Sequence, residues 1–190
     1  MHIPNFEDKA HCVSCNESLE SLEHIILECN HPSTKLIWSL MKRHWPHASP
    51  PWLTLCLGLL LGTSSISLPT AEDQHTDKGP ARLLRILLSE LTRLIWVLRC
   101  EKTIQGSEHN AQTVTTRWRN KINQRISTNC FLAAHYKSKH FTHHLAQQTW
   151  TPTLQMYLPD LDPDWVVKDK VLVGINPTIP PFPITTQDKR

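Results

Sequence analysis

Three observations predict a mainly α fold. Apolar residues recur at three- and four-residue steps over long stretches. A C-x2-C pair followed by a histidine and a third cysteine lies near the amino terminus. The strand–helix alternation of a parallel α/β fold is missing. Together they describe a zinc-stapled helical hairpin, then long helices, then a proline-rich tail. The 190 residues suit one domain rather than two large ones. With 39% apolar residues and 14 Pro against 5 Gly, a modest core with proline-marked connections is expected.

Four segments follow: 1–48, 49–79, 80–150 and 151–190. In 17–28, Leu19, Leu22, Ile25 and Ile26 draw one apolar helical face. Asn30, His31 and Pro32 end it, because a residue before proline is pushed out of the α region. A second helix starts at Pro32–Ser33, carries Leu36, Ile37, Leu40 and Met41, and stops before Pro46. These two helices form the hairpin. The connection 46–80 holds a short apolar run, 52–61, read as core, and a polar loop, 64–78.

Residues 80–105 give the clearest helix. Leu84, Leu87, Leu88, Leu91, Leu94, Ile95 and Leu98 recur on one side while Arg82, Arg85, Arg93 and Arg99 keep to others. Pro80 and Gly106 punctuate its ends. From 113 to 150 the pattern is helical but weaker, with Val114, Trp118, Ile122 and Ile126 four apart and Phe131 and Leu132 continuing the apolar content. From Thr151 on, helix formers give way to prolines. Residues 171–175 read as a short extended segment and 176–190 as a tail without a core.

No segment is long and apolar enough to span a membrane, and 1–15, with Glu7, Asp8 and Lys9, does not read as a secretory signal. Cys56, Cys100 and Cys130 stand alone, as packing cysteines do. The cysteine usage therefore points to a reducing, intracellular setting, nucleus or cytoplasm.

Cys12, Cys15, His24 and Cys29 are the candidate ligands of a metal site. A C-x2-C loop aims two thiolates at one point, and an imidazole with a third thiolate completes a tetrahedron around zinc. Four such ligands leave no position for water, so the ion is structural. His24 and Cys29, five residues apart, are about 140° out of phase on an α-helix. Both reach one ion only if the helix ends before Cys29. His11 and His31 flank the set as alternatives to His24.

Cys12-x2-Cys15, Glu23-His24-Ile25-Ile26-Leu27-Glu28-Cys29 and Trp38 resemble the zinc-binding module of non-LTR retrotransposon reverse transcriptases. The stretch 82–101, then Trp118, 122–125, Trp150, Trp165 and 171–175, is similar to the carboxy-terminal tail that follows this module in fungal retroelement proteins. The resemblance covers about residues 4–175 and implies zinc held by Cys12, Cys15, His24 and Cys29, with nucleic-acid association. In the family this tail lies beyond the polymerase, often beyond a ribonuclease H segment. The polymerase part has no counterpart in this sequence.

Polymerase and ribonuclease H chemistry needs clustered carboxylates holding two metal ions. The acids of 17–28 follow a helix around its solvated side, and Asp160, Asp162 and Asp164 read as a turn. No phosphate loop or nucleophile elbow occurs, so the chain is expected to be non-catalytic by itself. Between Glu108 and Asp160 no acid appears, while Arg117, Arg119, Lys121, Arg125, Lys137 and Lys139 do. Such a band attracts RNA or DNA phosphates, and Tyr136 and Phe141 could stack on unpaired bases. The other reading of the band is a merely solvated basic helix, salt-bridged to the acidic first lobe. An alternative function is a protein-interaction module whose 80–105 helix packs on a parent polymerase or ribonuclease H domain. That alternative predicts an exposed apolar stripe.

Overall fold

The computed structural model describes residues 11–16, 19–47, 55–68, 78–135, 142–168 and 175, and it is mainly helical, as expected. In chain order come a π-turn (His24–Glu28), α1 (Pro32–Arg43), α2 (Leu57–Leu61), a 3-10 turn (Thr63–Ser65), α3 (Lys78–Gln105), α4 (Ala111–His135), α5 (His143–Gln155) and α6 (Trp165–Lys168). Among the described residues the sole β pairing is an isolated bridge between His11 and Leu19. No described helix is long and apolar enough to cross a membrane.

The central element is α3. Its stripe of Leu84, Leu87, Leu88, Leu91, Ile95 and Leu98 is buried, and α1, α4, α5 and the π-turn pack around it. Gly106 ends it in the left-handed region at φ 64°, its N–H bonding the Lys102 carbonyl at 3.0 Å. Four residues later Asn110 caps α4, its side-chain oxygen accepting the Thr113 N–H at 2.8 Å. Glu101 then meets Arg117 while Glu90 meets Arg125, so α3 and α4 run antiparallel. Val114, Trp118, Ile122 and Ile126 face inward from α4, meeting Ile37, Leu40 and Met41 of α1 and Trp150 of α5 in one core.

The structure departs from the expectations in several places. The first predicted helix contracts to a few residues ending at Glu28, and Leu19 and Leu22 are exposed, because Leu19 is extended in the bridge to His11. The 113–150 region is two helices, α4 and α5, rather than one pattern. Phe131 and Leu132 do not join the core; Phe131 stacks on His135 at 4.2 Å between ring centroids. In the apolar run Leu60 is buried, but Leu61 and Cys56 are exposed. Helix α5 continues through Pro152 to Gln155, and Leu154, Tyr157 and Trp165 extend the core past residue 150. Proline there removes the donor for the Gln148 carbonyl. That carbonyl is where Gly79 of α3 comes close: a Cβ on Gly79 would lie 2.5 Å from it. The missing N–H and the missing side chain thus meet at one helix crossing. Most of the polar loop, residues 171–174 and the tail 176–190 lie outside the described residues.

Candidate metal centre

The centre is built from a loop and a turn. Asn16, at φ 59°, adopts the left-handed conformation that an asparagine tolerates, and its N–H bonds back to the Cys12 carbonyl at 2.8 Å. This closes the Cys12–Cys15 loop. The π-turn supplies the other half. Its i→i+5 bond runs from the Cys29 N–H to the His24 carbonyl at 2.7 Å. Wider winding cancels much of the phase difference that an α-helix would place between His24 and Cys29, and at Cys29 the backbone turns extended, with ψ 124°. The expectation that the helix must end before Cys29 is therefore met, with the π winding as an added device.

The four donor atoms of Cys12, Cys15, His24 and Cys29 all lie within 4.8 Å of one another, close enough to bind one metal ion. The Cys12 and Cys29 sulfurs are 3.8 Å apart, and the Cys15 sulfur is 3.2 Å from His24 Nε2. Zinc–sulfur bonds near 2.3 Å give a tetrahedral sulfur–sulfur edge of roughly 3.8 Å, and a sulfur–nitrogen edge of roughly 3.6 Å. The first distance matches and the second is slightly tighter. Cys12, His24 and Cys29 are buried, Cys15 partly so. Burial pushes the Cys29 thiol up to about 12, against a lowering contact from the His31 backbone, and the nearby Cys12 and Cys15 push it further. A divalent cation is what turns such crowded thiols into thiolates.

His24 is the imidazole in the set. Its Nε2 faces the sulfurs, and on its other side Glu28 Oε2 stands 3.8 Å from Nδ1, beyond hydrogen-bond reach. His31 Nδ1 instead accepts the Ser33 N–H at 3.3 Å, capping α1, and His11 is exposed. Two further contacts, neither of them read from the sequence, dock the centre on the bundle. Trp38 of α1 donates its indole N–H to the Ile26 carbonyl at 2.8 Å, and Arg99 of α3 pairs with Glu20.

The proposed nucleic-acid residues meet a mixed fate. Arg117 Nη1 bonds Glu101 Oε2 at 2.7 Å, and Arg125 bonds Glu90, a carboxylate only 1% exposed. Lys121 donates to Gln124 at 3.0 Å. No carboxylate partners Arg119 or Lys121 among the described residues. Lys137 and Lys139, with Tyr136 and Phe141, lie outside the described residues. The acid-free band is therefore partly salt-bridged, to α3 rather than to the first lobe. Asp162 accepts the Asp164 N–H at 2.8 Å, forming the expected turn before α6. No family model matches the chain, and no curated protein or solved structure matches it significantly.

Proposed function

We propose that this chain is a structural zinc-binding helical module that associates with RNA or DNA and does no chemistry by itself. In this reading it is the accessory tail that its Cys–His motif resembles in non-LTR retrotransposon reverse transcriptases. The observation that carries it is the convergence of three thiols and one imidazole within 4.8 Å. A closed set of four protein ligands holds an ion for architecture, and a soft thiolate majority favours zinc over harder cations. The lobe around the ion buries little besides Ile25 and Ile26, so a cross-link compensates for a small core. Support for nucleic acid comes from Lys121, without a carboxylate partner among the described residues and one helical turn from Arg125, which keeps 45% of its side chain exposed; Arg119, likewise without a carboxylate partner among them, lies on another face of α4.

The alternative, in which the α3 helix packs on an absent parent domain, requires an exposed apolar stripe. Of that stripe, Leu84, Leu87, Leu88, Leu91, Ile95 and Leu98 are buried in this chain's own core and Leu94 is partly buried against it, while Trp96 and Ile104 of the same helix are exposed. Native mass spectrometry with and without chelator, paired with fluorescence anisotropy on labelled RNA and DNA at rising salt, tests the proposal. One zinc per chain, removed by chelator, and affinity that falls with salt are expected. A chain that takes up no zinc, or binds neither strand, overturns it.

A further inference from the structure

The two rows of cations facing each other across α3 and α4 were not legible as a unit in the sequence. Lys78, Arg82, Arg85 and Arg93 follow one side of α3, opposite its buried stripe, and Arg117, Lys121 and Arg125 recur every four residues along α4. Two grooves of about 470 Å³ each open along this seam. Toward the α3 amino terminus, Lys78, Arg82, Arg85 and Arg125 line one with Ser64 and Ser89; Arg93, Arg117 and Lys121 line the other, with Glu90 the one carboxylate in either lining.

The geometry points to this seam as a track for the phosphodiester backbone of a nucleic-acid strand, held by Arg85, Arg93, Lys121 and Lys78 around a fixed floor of Arg82 and Arg125. The inference rests on the nucleic-acid reading above and assigns its contact surface, placing half of it on α3 rather than in the acid-free run.

Three features support it. Arg82 is anchored across three helices, donating to Asn129 of α4 and to Thr149 of α5, the latter at 3.3 Å, so the floor is pre-organised. Burial lowers its pKa to about 10, and the charges of Arg85 and Arg125 lower it further, as expected where positive charge is concentrated. Glu90 lies buried beneath the seam and pairs with Arg125 through Nε, which fixes that part of the floor and offsets one of its charges. From Arg82 to Val97 the α3 face spans about 22 Å, enough for several successive phosphates of one strand. No exposed aromatic ring lines the grooves, since Trp118 is fully buried, so the seam offers charge to the backbone and no platform for base stacking.

The test uses the full chain, zinc-loaded, with a fluorescein-labelled single-stranded RNA and a duplex DNA of equal length. The double variant Arg85→Gln with Arg93→Gln removes two seam cations that make no ion pair among the described residues. It is expected to weaken binding several-fold and to flatten the log affinity against log salt slope by about 1.4 for RNA. Lys35→Gln, an exposed cation on α1 outside the seam, leaves both unchanged. If the double variant loses helicity, Lys78→Gln with Lys121→Gln carries the same test. Unchanged affinity and slope in seam variants, with binding abolished instead by Lys137→Gln and Lys139→Gln, overturns the seam while sparing the nucleic-acid reading. No binding by the unaltered chain overturns both. The stronger response of RNA or of DNA identifies the strand.

Discussion

At the metal centre each cysteine is set apart from the others in the chain by its surroundings. Cys12 and Cys29 are buried with their sulfurs 3.8 Å apart, whereas Cys56 is exposed just before α2. Cys12→Ser and Cys29→Ser are therefore expected to lower zinc stoichiometry below one, measured by a colorimetric chelator, while Cys56→Ser leaves it intact. A fully buried residue outside the centre makes a second prediction. His44 donates from Nδ1 to the Leu40 carbonyl, stacks against Tyr157 at 5.7 Å, and leaves Nε2 buried without a partner among the described residues. Burial lowers its pKa to about 4, with the Arg43 charge helping and the Leu40 bond opposing. Above pH 6.5 both folded and unfolded histidine are neutral and nothing changes. Between 6.5 and about 4 the unfolded chain takes the proton more readily, so stability falls, by up to about 3 kcal/mol. His44→Gln keeps a donor for Leu40 without titrating, and urea melts across this range should show a flatter pH dependence for it.

Elements explain what could be read beforehand and what could not. The leucine spacing of α3 and the punctuation by Gly106 were legible because both are local: a periodic face and a left-handed C-terminal residue. The π-turn was not, since its i→i+5 bond is selected by the need to bring His24 and Cys29 to one side. Nor was the run of α5 through Pro152, because the tolerance lies in another helix. Gly79 belongs to that crossing, and Gly79→Ala would set a methyl 2.5 Å from the Gln148 carbonyl oxygen and 2.8 Å from its Cβ. Backbone cannot yield as a side chain does, so α3 and α5 must part. A loss of about 1–3 kcal/mol, seen as a lower Tm by circular dichroism, is expected. Proline signals misled at Thr151 for the same reason that glycine at 79 carried no obvious message.

Across the whole molecule, two parts share one core but draw on different forces. Three long helices surround Trp118, Trp150 and Leu88 and hold together by burial, whereas the amino-terminal lobe docks through Trp38 and Arg99 and, in the proposed reading, leans on the shared cation. Chelation is thus expected to cost only a small share of helical signal while opening the amino-terminal lobe to proteases, with cleavage concentrated between residues 11 and 29. Wholesale loss of helix would contradict this division. That Cys12, Cys15 and Cys29 would meet near a histidine was readable from spacing, because a C-x2-C loop is a local device, whereas spacing left His11 and His31 open beside His24. The charge pattern was not: Arg117 and Arg125 found their acids at Glu101 and Glu90, and the seam joined arginines some thirty residues away, all consequences of the antiparallel pairing of α3 with α4. Everything proposed for this chain begins at the cation that Cys12, Cys15, His24 and Cys29 would share. X-ray absorption at the zinc edge of the loaded protein tests that directly: three sulfurs near roughly 2.3 Å and one nitrogen near roughly 2.0 Å are predicted, with no oxygen. A shell containing water oxygens, or fewer than three sulfurs, would contradict it.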